Sequence, residues 1–155
     1  MGLFSFMKDV GAKLFNSEPE KEEKSIEVVN AENAATLTRQ INNLELPVKN
    51  LQIVIENNRA VVTGAVNDQA TKEKIVLMVG NNYGIAEVDD QMEVTNPEPE
   101  AKFYTVKKGD YLSKISKEVY GNATKYNIIF EANKPMLKNP DLIYPGQVLR
   151  IPNLD

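Results

Sequence analysis

Neither cysteine nor histidine occurs among the 155 residues. Without cysteine there is no disulfide staple and no thiolate chemistry. Without either residue the usual ligands of zinc, copper and haem are missing, so a transition-metal role is not expected. A Ser–His or Cys–His pair is excluded, and no other acid/base constellation emerges, so the chain is expected not to be an enzyme. Nor is there a run of about 18 apolar residues that could form a transmembrane helix. The N-terminus reads MGLFSFMKDVGAK. Its first lysine is Lys8, and Lys8-Asp9 interrupts the apolar run, so the basic-then-apolar pattern of a secretory signal is lacking. Gly2 suggests N-myristoylation, but Phe6 stands where that pattern wants Ser or Thr. EF-hand, Walker and dinucleotide-binding patterns are also missing. These absences lead to the expectation of a cytoplasmic protein with no stable membrane insertion.

What is present is an ordinary globular mixture, 42% hydrophobic and 26% charged, long enough for one ordinary domain or two small ones. The charge divides the chain. Residues 1–100 carry 9 Lys/Arg against 17 Asp/Glu, a formal -8, and residues 101–155 carry 9 against 5, a formal +4. Opposite signs favour contact between the halves. The acidic half favours cations over nucleic acid. The basic residues of the second half lack aromatics interleaved with them, so no nucleic-acid partner is expected.

Leu3, Met7, Val10 and Leu14, widened by Phe4 and Phe15, predict an amphipathic helix over 3–15 within an N-terminal segment 1–18. The polar run NSEPEKEEKS, 16–25, reads as a linker. Helical periodicity returns over 26–44 and stops at Leu46-Pro47. Strands at 51–56 and 60–66 flank the turn dipeptide Asn57-Asn58 and predict a hairpin. Asn67 or Asp68 can cap a helix over 69–79, Gly80–Gly84 stops it, and a strand follows over 87–94. The linker TNPEPEAK, 95–102, carries two prolines. Beyond it come a strand at 103–106, a turn at Lys108-Gly109-Asp110, helices at about 111–119 and 123–133, and a strand at 147–151. The class is therefore α+β, with two modules: 26–94 in the order α-β-β-α-β and 103–153 in the order β-α-α-β. No heptad seam or unpaired edge is evident, so a monomer is expected.

The second module resembles a LysM domain. The residues that carry the likeness are Tyr104-Thr105-Val106, Gly109-Asp110, Leu112, Ile115, Ile128, Asn133, Ile143, Pro145-Gly146-Gln147, Leu149 and Ile151-Pro152. In this pattern Gly109 makes the turn, Asp110 caps the first helix, and Leu112, Ile115 and Ile128 pack the helices on the strands. Residues 26–94 resemble a BON domain, through Val61-Val62-Thr63-Gly64 and the segment Gly84–Asp90. The order of the two modules on so short a chain is similar to a family of small bacterial cytoplasmic potassium-binding proteins. So are the start MGLF-x-F-x-KD-x-G and the end FEANKPMLK-x-PD-x-IYPGQVLRIP.

That resemblance implies selective binding of K⁺ by a cytoplasmic ion sensor, with a change of shape as the BON and LysM modules close on one another. K⁺ is large and weakly hydrated, and proteins select it chiefly with backbone carbonyls. Helix C-termini leave such carbonyls free and electronegative. Two places qualify: the loop Gly80–Ile85, and the first helix near Met7, Val10 and Gly11. The expected ion ligands are the carbonyls of Met7, Val10, Gly80, Asn82 and Ile85, with the first helix folding onto the loop. In the plainer alternative, Gly80 and Gly84 serve only as a helix cap and a strand start. Asp89-Asp90 suggests a hard-cation site, but adjacent strand residues face opposite ways, so a solvated strand end is expected.

Two other functions fit the modules. LysM domains commonly bind N-acetylglucosamine polymers such as peptidoglycan, here between Gly109–Leu112 and the 134–143 loop; without export that substrate is out of reach. Some BON proteins associate with phospholipid, which suggests a membrane-associated stress-response protein using the Phe-bearing N-terminal segment.

Overall fold

The computed structural model describes residues 2–8 and 26–154. Strands are numbered β1 Gly2–Ser5, β2 Val48–Glu56, β3 Arg59–Asp68, β4 Glu87–Asp90, β5 Glu93–Asn96, β6 Lys102–Thr105 and β7 Val148–Ile151. Helices are α1 Ile26–Asn43, α2 Gln69–Gly80, α3 Leu112–Tyr120 and α4 Tyr126–Ala132, with a 3-10 turn at Ala123–Lys125. The α+β expectation holds, with helices and strands in both modules.

In the first module the sheet runs β1-β4-β3-β2, with β5 also pairing β3. β2 and β3 form the predicted antiparallel hairpin, and Asn57 takes a positive φ of 56° at its turn. β4 and β5 lie parallel to β3, reached by the crossover through α2. Alternation buries Leu51, Ile53 and Ile55 of β2, and Ala60, Val62 and Val66 of β3, on one face. Ala34, Leu37 and Ile41 of α1 and Ile75, Val76 and Val79 of α2 cover that face. Asp68 caps α2 by accepting the Thr71 N–H at 2.7 Å, one of the two caps the sequence offered.

The second module is the antiparallel pair β6–β7 with α3 and α4 packed on it around Val106, Leu112, Ile115, Ile129, Leu137, Leu149 and Ile151. Gly109, at φ 89°, makes the predicted turn.

Five expectations need correction. Gly2–Ser5 is a strand, so the helix expected from residue 3 does not begin there; residues 9–15 lie outside the described residues. The unpaired edge of β4 offers this short segment four partners, and the stripe residues Leu3 and Met7 are exposed. The single strand 87–94 is two. Gln91 N–H bonds to the Val62 carbonyl and Met92 N–H to Asp90 Oδ1, kinking the chain between β4 and β5. Asp90 is thus no solvated strand end: it is fully buried, with Lys72 Nζ 2.9 Å from its Oδ2. Asp89 does face the other way, paired with Arg59 at 2.9 Å. Ile128 is exposed, and its neighbour Ile129 fills the core instead. Asp110 does not cap α3, whose first flanking residue is Tyr111. Asp110 accepts the Lys107 N–H at 2.9 Å and the Tyr104 hydroxyl at 2.7 Å. Burial pushes Asp110 up, but these donors and Lys114 outweigh it and hold the carboxyl below its ordinary value.

Candidate functional site

The end of α2 is built from its asparagines. Asn81 N–H bonds to the Leu77 carbonyl at 2.9 Å. The buried Asn82 side chain donates to the carbonyls of Met78, at 2.5 Å, and Val79, at 2.9 Å. Three of the last carbonyls of the helix are thereby occupied, and that of Gly80 is the one neither asparagine takes. Ile85 N–H bonds to the Asn82 carbonyl at 3.1 Å and closes the loop, while Gly84 adopts φ 93°, which favours glycine.

The N-terminal segment lies over this loop. β1 pairs with β4 from Gly2↔Asp90 to Ser5↔Glu87. The same antiparallel course continues beyond the strand, with Phe6 N–H to Ala86 O at 2.7 Å and Gly84 N–H to Lys8 O at 2.6 Å. The Phe6 ring rests on the α-carbon of Gly80, where an added Cβ would clash with the ring at 2.1–2.4 Å from three of its carbons. Of the five residues expected at the ion, Gly80, Asn82 and Ile85 therefore share one loop, and Met7 sits in the segment laid across it. Val10 lies outside the described residues. What crosses the loop is extended chain. The plainer duties of the glycines are also visible, since Gly80 ends α2 and Gly84 turns the chain toward β4.

On its other side the loop touches the second module. Asn81 Oδ1 accepts the Val148 N–H at 2.9 Å, and Asn81 Nδ2 donates to the Val148 carbonyl at 2.8 Å. The Tyr144 hydroxyl donates to the Asn81 carbonyl at 3.3 Å, and burial pushes Tyr144 up to about 12. About two turns further back along α2, the buried Glu73 accepts Arg150 Nε at 2.8 Å on Oε1 and the Ala101 N–H at 3.1 Å on Oε2. Lys74 is pushed down, first by burial and then by the charge of Arg150. Phe4 and Phe103 meet edge to face with ring centroids 5.4 Å apart. Beside these contacts runs a cleft of about 600 Å³, with Leu37, Ile41, Leu44 and Met78 on one wall and Met136, Leu142 and Tyr144 on the other. The 134–143 loop, one expected wall of a glycan groove, thus faces the first module.

Sequence reading missed Asn81, Glu73 and Arg150 as interface residues. The signal was there for Glu73: it stands on the same helical face as Val76 and Gly80, a charge where the periodicity asks for an apolar residue. Asn81 gave no signal beyond a helix stop.

Among the described residues no group of three acidic side chains could hold a metal. No described helix is long and apolar enough to cross a membrane.

Two family profiles match, a BON domain over residues 30–96 and a LysM domain over residues 104–152. The chain is 50% identical over 153 residues to the Potassium binding protein Kbp of Escherichia coli O6:H1, covering 98% of this chain and 99% of that protein. A shorter match is 55% identity over 49 residues to an uncharacterized protein of Deinococcus radiodurans, covering 32% of this chain and 19% of that one.

Proposed function

The chain belongs to the family of the Potassium binding protein Kbp, and from that premise we propose that it is a non-catalytic, selective K⁺-binding protein. In this reading it is a monomeric cytoplasmic sensor acting in the stress response to changing K⁺. The observation that carries the reading is the likeness along nearly the whole chain, both modules and the N-terminal segment included.

The local chemistry supports it. K⁺ is held by the carbonyls of Met7, Val10, Gly80, Asn82 and Ile85. A dehydrated K⁺ needs several carbonyl dipoles converging from segments that cannot drift apart. The α2 terminus supplies negative potential. The backbone bonds of Phe6 and Gly84, and the seat of the Phe6 ring on Gly80, hold the N-terminal segment against the loop. The contacts of Asn81 and Glu73 with the second module belong to the closed form, so ion binding compacts the chain. The ion shifts that equilibrium only by its higher affinity for the closed form.

The test is calorimetric titration with KCl against NaCl at matched ionic strength, with small-angle scattering on the same samples. Saturable K⁺ binding with a fall in radius of gyration, both absent in NaCl, is expected. Equal behaviour in the two salts would sink the reading and bring N-acetylglucosamine oligomers and phospholipid vesicles forward as ligands.

A further inference from the structure

We infer that Asn81 couples the ion loop to the docking of the second module, so that K⁺ affinity and module closure rise and fall together through this one side chain. The inference rests on the K⁺ reading above and names the residue that transmits it.

It starts from a strand edge. β7 pairs only with β6 among the described strands. Val106 N–H bonds to the Gln147 carbonyl, so alternation turns the peptide groups of Leu149 and Ile151, like that carbonyl, toward β6. Those of Val148 and Arg150 point the other way. Asn133, from the same module, covers Arg150: its Oδ1 accepts the Arg150 N–H at 2.7 Å and its Nδ2 donates to the Arg150 carbonyl at 2.9 Å. Asn81, from the first module, covers Val148 in the same two-point way, at 2.9 and 2.8 Å. Both asparagines are buried. A carboxamide presents the donor and acceptor of a peptide group, so each acts as a one-residue strand partner. The edge of β7 is therefore complete only when Asn81 is delivered to it, and buried peptide groups left unpaired are costly.

The backbone of Asn81 lies between Gly80 and Asn82, two of the residues assigned to the ion. Its N–H is tied to Leu77 and its carbonyl receives the Tyr144 hydroxyl. A loop movement that redirects the carbonyls of Gly80 and Asn82 pulls the carboxamide off Val148. Conversely, a docked β7 holds the loop in one arrangement. Two sites sharing one such element influence each other reciprocally.

The experiment uses the full chain and KCl, with calorimetry for affinity, scattering for compactness, and an amide NMR spectrum to show that both modules stay folded. Asn81→Leu is of similar size, removes both the acceptor for the Val148 N–H and the donor to the Val148 carbonyl, and leaves the charge beside the ion loop unchanged. It is expected to weaken K⁺ binding about tenfold and to enlarge the radius of gyration in KCl. Arg150→Met loosens the interface at its far side without touching the loop, and is expected to weaken K⁺ about fivefold. A purely local role of Asn81 in shaping the loop would leave the affinity of Arg150→Met unchanged. An Asn81→Leu protein that binds K⁺ like the wild type, or an opened Arg150→Met protein that does so, would overturn the coupling. A wild-type chain without saturable K⁺ binding is a separate outcome, which removes the K⁺ reading and the coupling with it.

Discussion

Glu73 and Arg150, 77 positions apart, share a 2.8 Å hydrogen bond in which the carboxylate is buried and the guanidinium nearly so. Removing one partner of a buried pair usually costs about 3–5 kcal/mol, because the other charge is left without compensation. Here an escape exists: the modules can part and hydrate the orphan. The measured loss is therefore capped by the free energy of docking. Glu73→Ala, which also strips the acceptor from the Ala101 N–H, should release the second module while leaving its fold intact. Scattering should show a larger radius of gyration, and the amide spectrum should keep dispersed signals from both cores. A compact Glu73→Ala protein would show that the pair contributes little to docking.

Gly80 and Phe6 form the second pair worth separating. Gly80→Ala puts a methyl where the Phe6 ring sits, so it should lift the N-terminal segment and weaken K⁺ binding. Phe6→Ala removes the ring that seats the segment and should weaken it too. Combined, the two changes relieve the clash, and the double variant should be less impaired than the sum of the singles. That non-additivity, read by titrating KCl into the four proteins, is the mark of direct contact. Strict additivity would place Phe6 elsewhere in solution.

Gly84→Val is a harsher test of the same loop. At φ 93° a β-branched residue is strained even though the space beside it is open. K⁺ binding should be lost while the second module stays folded. Retained affinity in a folded Gly84→Val protein would take this loop out of the ion site.

Much of the fold could be read in advance because it is repeated along single elements. Leu37 and Ile41 on α1, the alternation of Leu51, Ile53 and Ile55, and the Asn57 turn each carry their own period or dihedral signal. What escaped depends on partners distant in sequence. Gly2–Ser5 is a strand only because β4 has an edge to give, and no local pattern announces that. Asp90 looked like surface because its partner, Lys72, lies on another element. Ile128 and Ile129 are equally apolar, so periodicity over a helix of two turns could not choose between them. The loop Gly80–Ile85 was legible as a place where carbonyls could converge, through its glycines. Its contact with the second module through Asn81 was not, since an asparagine serving as a strand partner looks like any other helix stop.

The phase of α4 gives a direct check. Ile129→Ala deletes a fully buried side chain in the second core and should cost about 2–5 kcal/mol. Ile128→Ala, at an exposed position, should cost under about 1 kcal/mol. Urea unfolding of the two variants ranks them, and the reverse order would return Ile128 to the core.

Asp68 makes stability depend on acidity. The Thr71 hydroxyl, and then the Thr71 backbone N–H at 2.7 Å, hold its carboxyl below the ordinary carboxylate value. A carboxylate with a depressed folded value contributes stability that is fully present above its unfolded value. That contribution is lost as pH falls through the lower folded value. Asp68→Asn keeps an acceptor for the cap but cannot titrate, so it should unfold with little loss near neutrality. Asp68→Ala should lose about 1 kcal/mol there. Below about pH 4 the ionised aspartate of the wild type is progressively protonated. The advantage of wild type over Asp68→Ala should then shrink, while that of Asp68→Asn over Asp68→Ala should stay level. Melting curves of the three proteins from neutrality down into the acid range read this difference. A wild-type advantage independent of pH would mean that the cap acts through a hydrogen bond indifferent to charge.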